Sequence, residues 1–120
     1  MSEINPTTAE HLLVLCTCPD HDTATQLAKT LIDEALAACV NVLPGLTSFY
    51  HWQGKCESGT EELLIIKTRT AAYPALEARL QALHPYELPE IIGVTIEAGL
   101  PGYLAWVDES CNRNTREPEQ

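Results

Sequence analysis

Between Leu46 and Gln53 the chain reads Leu-Thr-Ser-Phe-Tyr-His-Trp-Gln. Laid out as a strand, Leu46, Ser48, Tyr50 and Trp52 fall on one side and Thr47, Phe49, His51 and Gln53 on the other, so aromatic rings stand on both faces. One small sheet cannot cover both. Gln53-Gly54-Lys55 supplies a turn, and Glu61 to Thr68 (Glu-Glu-Leu-Leu-Ile-Ile-Lys-Thr) is an apolar block that again asks for burial on two sides. The expected element is a long antiparallel hairpin over Cys39 to Thr68 whose far end leaves its own domain and packs on another copy. Self-association is therefore expected before any chemistry is considered.

At 120 residues the chain has room for one domain with a real core. No apolar run approaches the roughly 18 residues a membrane span needs, and Met1 to Glu10 has no basic residue ahead of an apolar stretch, so a cytoplasmic home is expected. Seven Lys and Arg against seventeen Asp and Glu give a net charge of -10. That field repels phosphate backbones and anionic lipid, so neither nucleic acid nor membrane is an expected partner. The five cysteines are odd in number and contain no C-x-x-C pair, which argues for reduced thiols and against a disulfide framework.

Taken in order, residues 1–10 read as a flexible N-terminal arm, 11–111 as a single domain and 112–120 as a disordered tail. His11 to Cys18 is a buried first strand ending at Pro19-Asp20, with Cys16 and Cys18 on one face. A C-x-C on a strand can hold a soft metal such as Cu(I), with His21 close behind; buried free cysteine is also an ordinary core residue. Asp20 or Asp22 caps a helix whose stripe runs from Ala24 through Leu36 and ends near Ala37-Ala38. Cys39 to Leu43 turns to strand, and Pro44-Gly45 marks a bend or bulge. Lys67 and Arg69, one residue apart at the hairpin exit, face the same way, either as a solvated edge or as an anion-facing pair. The second helix is Tyr73 to Leu83, with Tyr73, Leu76, Leu80 and Leu83 turned inward.

His84-Pro85-Tyr86-Glu87-Leu88-Pro89-Glu90 follows, a loop stiffened by two prolines and carrying an imidazole, a phenol and two carboxylates. It is either a binding loop or a rigid turn whose polar groups cap the helix. Ile91 to Ile96 is a fourth strand, and Pro101 to Ser110 a last helix. The order βαββαβ plus a terminal helix is that of an α+β, ferredoxin-like sandwich with two helices on one face of a four-stranded antiparallel sheet. Its other face, left bare, is covered if three or more copies meet there.

Enzyme motifs are absent: there is no G-x-S-x-G, no H-E-x-x-H and no phosphate loop around Gly54-Lys55. Cys39 or Cys16 with His84 can be nominated as nucleophile and base, but a thiol needs a lowered pKa to act, so catalysis is not expected.

Cys16-Thr17-Cys18-Pro19-Asp20, Leu36-Ala37-Ala38-Cys39-Val40-Asn41 leading to Leu43-Pro44-Gly45, Ser48 to Lys55, His84 to Glu90 and Tyr103-Leu104-Ala105-Trp106 together resemble the CutA divalent-cation tolerance family, in order over about His11 to Ser110. The resemblance implies a PII-like homotrimer with hairpins crossing between subunits, and tolerance to copper and other divalent cations. It implies copper ligands at Cys16 and His84, with Leu83 standing where enterobacterial members carry a second histidine; His21 or Cys18 are the residues available to substitute. It also implies a cleft formed by Cys39, Trp52, Glu61, Lys67, Tyr86 and Glu90, suited to a cation or a small polar ligand. Two functions follow from it: a trimer that binds copper or another soft or divalent cation, or a PII-like scaffold that senses a small anionic ligand through Lys67. A protein partner is a third possibility.

Overall fold

The computed structural model describes residues 10–112. The expected arm and tail lie outside the described residues except for Glu10, whose carbonyl accepts from the Thr70 N–H at 2.9 Å, and Asn112. The elements are β1 (His11–Cys18), α1 (His21–Asp33), β2 (Cys39–Trp52), β3 (Lys55–Arg69), a 3-10 turn (Thr70–Ala72), α2 (Tyr73–Leu83), β4 (Ile91–Thr95) and α3 (Pro101–Ser110). The sheet order is β2-β3-β1-β4, antiparallel throughout. With α1 and α2 crossing between strands, this is the ferredoxin-like βαββαβ arrangement, extended by a terminal helix. No helix among the described residues is long and apolar enough to cross a membrane.

Local chemistry sets each boundary. Asp20 sits in extended backbone and its carboxylate accepts from the Thr23 N–H at 2.8 Å, which starts α1. Burial of Ala24, Leu27 and Leu31 fixes the inward face of this helix. The helix stops at Asp33, short of the expected Ala37-Ala38. Ala35 takes a left-handed conformation (φ 58), the Leu36 N–H returns to the Leu31 carbonyl at 2.9 Å and the Ala35 N–H to Ile32 at 3.0 Å. That is a Schellman stop with alanine in the position where glycine is usual.

The hairpin turns in two residues. Trp52 pairs with Lys55, and Gln53 (φ 51) and Gly54 (φ 77) provide the two positive angles a type I′ turn demands. Pro44-Gly45 interrupts the ladder as expected: the register slips between Leu43 and Leu46, because proline has no N–H to give and Gly45 (φ 77) takes up the bend. Beyond that bulge most side chains are exposed, Phe49 at 71% and Trp52 at 58%. The radius of gyration is 15.7 Å, against about 13 Å for a compact domain of roughly this length, so the hairpin stands out from the body.

The core lies between the sheet and the two crossover helices. Val14, Cys16 and Cys18 of β1 and Leu64 and Ile66 of β3 meet Ala24, Leu27 and Leu31 of α1 and Leu76 and Leu80 of α2. Leu83, expected inward, is 41% exposed: it is the last helical residue, and the chain swings to extended backbone at His84 (ψ 139). On the far side of the sheet the register aligns Ile65, Leu15 and Ile92 in one row and Lys67, Leu13 and Val94 in another. This face is apolar and open, with Ile92 at 49% and Val94 at 48% exposure. A small second core joins Val107 and Cys111, at the end of α3, to Ala38, and Asp108 of α3 ties to His11 Nε2 at 2.9 Å.

Candidate functional site

The end of β1 and the loop after α2 meet at a buried cluster of side chains. Alternation along β1 turns Cys16 and Cys18 to the same side, and both are fully buried. Pairing of β1 with β4 ends at Cys16 opposite Ile91. One residue further, the imidazole of His84 bonds the Thr17 carbonyl at 2.8 Å. Its other nitrogen, Nδ1, accepts the Tyr86 N–H at 3.1 Å. A nitrogen that accepts cannot also carry the proton, so Nε2 bears the hydrogen and the ring is the neutral Nε2–H tautomer. One donor atom each from Cys16, Cys18 and His84 lies within 4.8 Å of the others.

The two thiols act on each other. The Cys16 thiol is pushed far above its ordinary range, first by its hydrogen bond with Cys18 and then by burial; the same bond pulls the Cys18 thiol down against burial. Of the two, Cys18 is the sulfur that gives up its proton more readily. His21, raised as a substitute ligand, turns away: its Nδ1 pairs with Glu62 at 2.9 Å on the surface.

Beside this cluster is a groove of about 1010 Å³ between the hairpin and the 84–90 loop. Trp52, Glu61, Tyr86 and Glu90 line it together with Tyr50, Glu57 and Leu88. The Tyr86 hydroxyl donates to Glu61 Oε2 at 2.6 Å, and burial, then the Glu61 bond, raises the phenol well above its ordinary 10.0. Four of the six expected cleft residues are therefore together. Cys39 and Lys67 are not: Lys67 Nζ bonds Asn41 Oδ1 and lies 3.8 Å from Cys39 Sγ. Lys67 is six residues from Glu61 along β3, roughly 20 Å at strand rise. Sequence reasoning missed Tyr50 and Glu57 as groove residues; their cross-strand pairing follows from the two-residue turn once Trp52 is set opposite Lys55.

Tyr86→Phe is expected to lower stability by about 1 kcal/mol, read as a lower urea midpoint with an unchanged slope. The sign of its pH dependence follows from the raised folded pKa. The stabilisation is fully present below the ordinary tyrosine value of 10.0 and is lost as pH rises toward the folded one. The variant should therefore show a flatter stability profile in alkali, and equal profiles would remove the Glu61 bond from the account.

The family model of the CutA1 divalent ion tolerance protein matches residues 12–110. The chain belongs to the CutA1 family. It is 49% identical over 98 residues to the divalent-cation tolerance protein CutA of Thermus thermophilus, covering 82% of this chain and 95% of that one. To the CutA homolog of Xenopus laevis it is 48% identical over 93 residues, 78% of this chain and 62% of that one, and it spans 52% of mouse protein CutA. Among solved structures, the Thermus thermophilus divalent cation tolerance protein superposes with a TM-score of 0.83 at 47% identity, covering 85% of this chain and 99% of that one. CutA1 of Oryza sativa gives 0.84 at 41% identity, covering 87% and 95%. The CutA1 relatives thus share the whole ferredoxin-like body, with the buried cluster and the groove lying inside the matched span.

Proposed function

We propose that this CutA1-family chain forms a homotrimer that binds copper or another soft or divalent cation and contributes to metal-ion tolerance. The observation that carries the reading is the meeting of two thiols and an imidazole within 4.8 Å in a buried cluster. Sulfur and imidazole donors suit Cu(I) and Zn(II) and are poor ligands for Mg(II) or Ca(II). The names of relatives as divalent-cation tolerance proteins point the same way. Trimerisation is supported by the open apolar rows on the sheet and by the aromatics on the standing hairpin, which a second and third copy would cover.

The working unit is the single domain 11–111. Its five free cysteines suit a reducing cytoplasm. The function is binding and not catalysis: both nitrogens of His84 are engaged by backbone groups, the Thr17 carbonyl and the Tyr86 N–H, so the ring is not free to act as base to a thiol, and the other nominated thiol, Cys39, lies beside Lys67, which pairs with Leu13 and not with the Cys16 end of β1. Native mass spectrometry of the reduced protein with Cu(I), Cu(II) or Zn(II) tests this by counting chains and ions per particle. Three chains with one ion per chain are expected; particles that stay empty overturn the metal reading.

A second reading is favoured by Lys67 at one end of the sheet and the Trp52, Glu61, Tyr86 and Glu90 groove at the other. In a trimer a neighbour's Lys67 can approach this groove and complete a cleft for a small anionic ligand or a protein partner, as in a PII-like scaffold. A ligand-induced melting shift abolished by Lys67→Met would support it, and one that survives the substitution would count against it.

A further inference from the structure

We infer that His51 and Cys56, opposite each other near the tip of the hairpin, form an open two-donor site for a divalent cation of zinc type, separate from the buried cluster at the end of β1. The inference does not rest on the cation-binding reading above. Its basis is the register. The two-residue turn at Gln53-Gly54 closes on Trp52 and Lys55, and a type I′ turn hydrogen-bonds its flanking residues to each other. The next pair out, His51 with Cys56, is then a non-hydrogen-bonded pair, in which Cα atoms stand about 4.5 Å apart and side chains come closest. Opposite residues share a face of the ladder, so imidazole and thiol project together. Both residues are exposed, and among the described residues no hydrogen bond or ion pair engages either side chain.

Donor type and reach select the ion. Zinc binds thiolate sulfur at about 2.3 Å and imidazole nitrogen at about 2.0 Å, and tetrahedral geometry then puts sulfur and nitrogen about 3.6 Å apart. Cross-strand Cβ atoms at about 4.5–5.5 Å let a short thiol arm and a longer imidazole arm close to that spacing. Mixed sulfur and nitrogen donors suit Zn(II), Cd(II) and Co(II), whereas Mg(II) and Ca(II) ask for oxygen. The buried His84 ring spends both nitrogens on backbone groups; the His51 ring can bind an ion without breaking such a bond. Glu57, opposite Tyr50, and Lys55, opposite Trp52, alternate to the other face of the hairpin. The first therefore adds no third ligand and the second holds its charge on the far side. Exposure leaves water to fill the remaining positions, so the ion exchanges readily. On binding, the Cys56 S–H proton leaves for solvent, one metal–sulfur and one metal–nitrogen bond form, two water ligands leave the ion, and no oxidation state changes. The net charge of -10 favours the approach of a cation.

The test uses the full chain, reduced and anaerobic, with Zn(II) as the probe. Alkylation of Cys56 by iodoacetamide is followed by peptide mass spectrometry, which reads each of the five cysteines separately. Wild type, His51→Ala and His21→Ala are compared; both substitutions replace exposed side chains, and circular dichroism checks that the fold is kept. The midpoint of a zinc titration gives the dissociation constant, and at ten times that concentration alkylation of Cys56 in wild type should slow about 10-fold. In His51→Ala the same zinc should slow it by less than about 2-fold, as follows from an affinity weakened about 10-fold or more. His21→Ala, a surface histidine elsewhere, should match wild type. Alkylation of Cys56 that is equally fast with and without zinc overturns the inference, as does protection that survives His51→Ala. A Cys56 that fails to react even without zinc overturns it too, because the pair is then closed off in the assembly. Zinc protection confined to Cys16 and Cys18 overturns it while leaving the cation-binding function standing.

Discussion

Ile92→Asp is expected to turn the proposed trimer into single chains. Ile92 sits on the edge strand β4 in one row with Leu15 and Ile65, on the sheet face that neither α1 nor α2 covers. In the single chain it is 49% exposed, so an aspartate there can reach water and the subunit fold should survive. At a three-fold interface the same side chain is enclosed. Three carboxylates, one from each copy, are then buried without partners, at several kcal/mol each. That exceeds what a modest interface holds in reserve, so the particle should fall from three chains to one by native mass spectrometry or light scattering, with the far-ultraviolet circular dichroism unchanged. Melting should fall too, because binding to other copies stabilises the native state by mass action and that term is lost. Ile92→Val, which keeps the row apolar, should remain trimeric. If Ile92→Asp stays trimeric with the melting point of the parent, this face is not where the copies meet.

Much of this arrangement was legible because the chain punctuates itself. Pro19-Asp20 closes β1, Pro74 and Pro85 bracket α2 and Pro101 opens α3, so these elements were expected with the bounds observed. Gln53-Gly54 and Pro44-Gly45 announced the turn and the bulge for the same reason. Where no special residue stands, the boundary is set by contacts distant in sequence. The apolar stripe predicts α1 through Ala35 and Leu36, with alanine the best helix former, yet Ala35 is the left-handed residue that ends it. The competing interaction is tertiary: the Ala38 N–H pairs with the Lys67 carbonyl at 2.9 Å, which draws the chain into β2. Leu83 failed similarly, since its spacing fits the stripe while the helix ends beneath it. The buried cluster was legible only in part. Period-two alternation put Cys16 and Cys18 on one face, but nothing local joins Thr17 to His84 across 67 residues. The cleft residues came from family resemblance, which carries no distances, and so could not reveal that Cys39 and Lys67 sit apart from the other four within one chain.

His84→Ala is expected to destabilise the subunit by about 3–5 kcal/mol, a large share of the 5–15 kcal/mol that holds an ordinary domain together. The imidazole is 7% exposed and satisfies two backbone groups at once, the Thr17 carbonyl and the Tyr86 N–H. Truncation leaves both unpaired in a closed site, each at about 1–3 kcal/mol, and adds the cavity left by the ring. The ring also packs against Tyr86, with centroids 4.7 Å apart, and Tyr86 in turn holds Glu61. The loss should therefore spread from the β1 end through the 84–90 loop to the wall of the groove. Urea denaturation measures the total, and hydrogen exchange at Tyr86 and the residues after it measures the spread. His84→Gln, able to keep the Thr17 bond, should recover more than half of the loss. The comparison separates two roles for one residue: a ligand would be missed chiefly when metal is present, whereas a clasp between strand and loop is missed at once in the metal-free protein. A His84→Ala chain as stable as the parent without metal would show that the loop is held by something else.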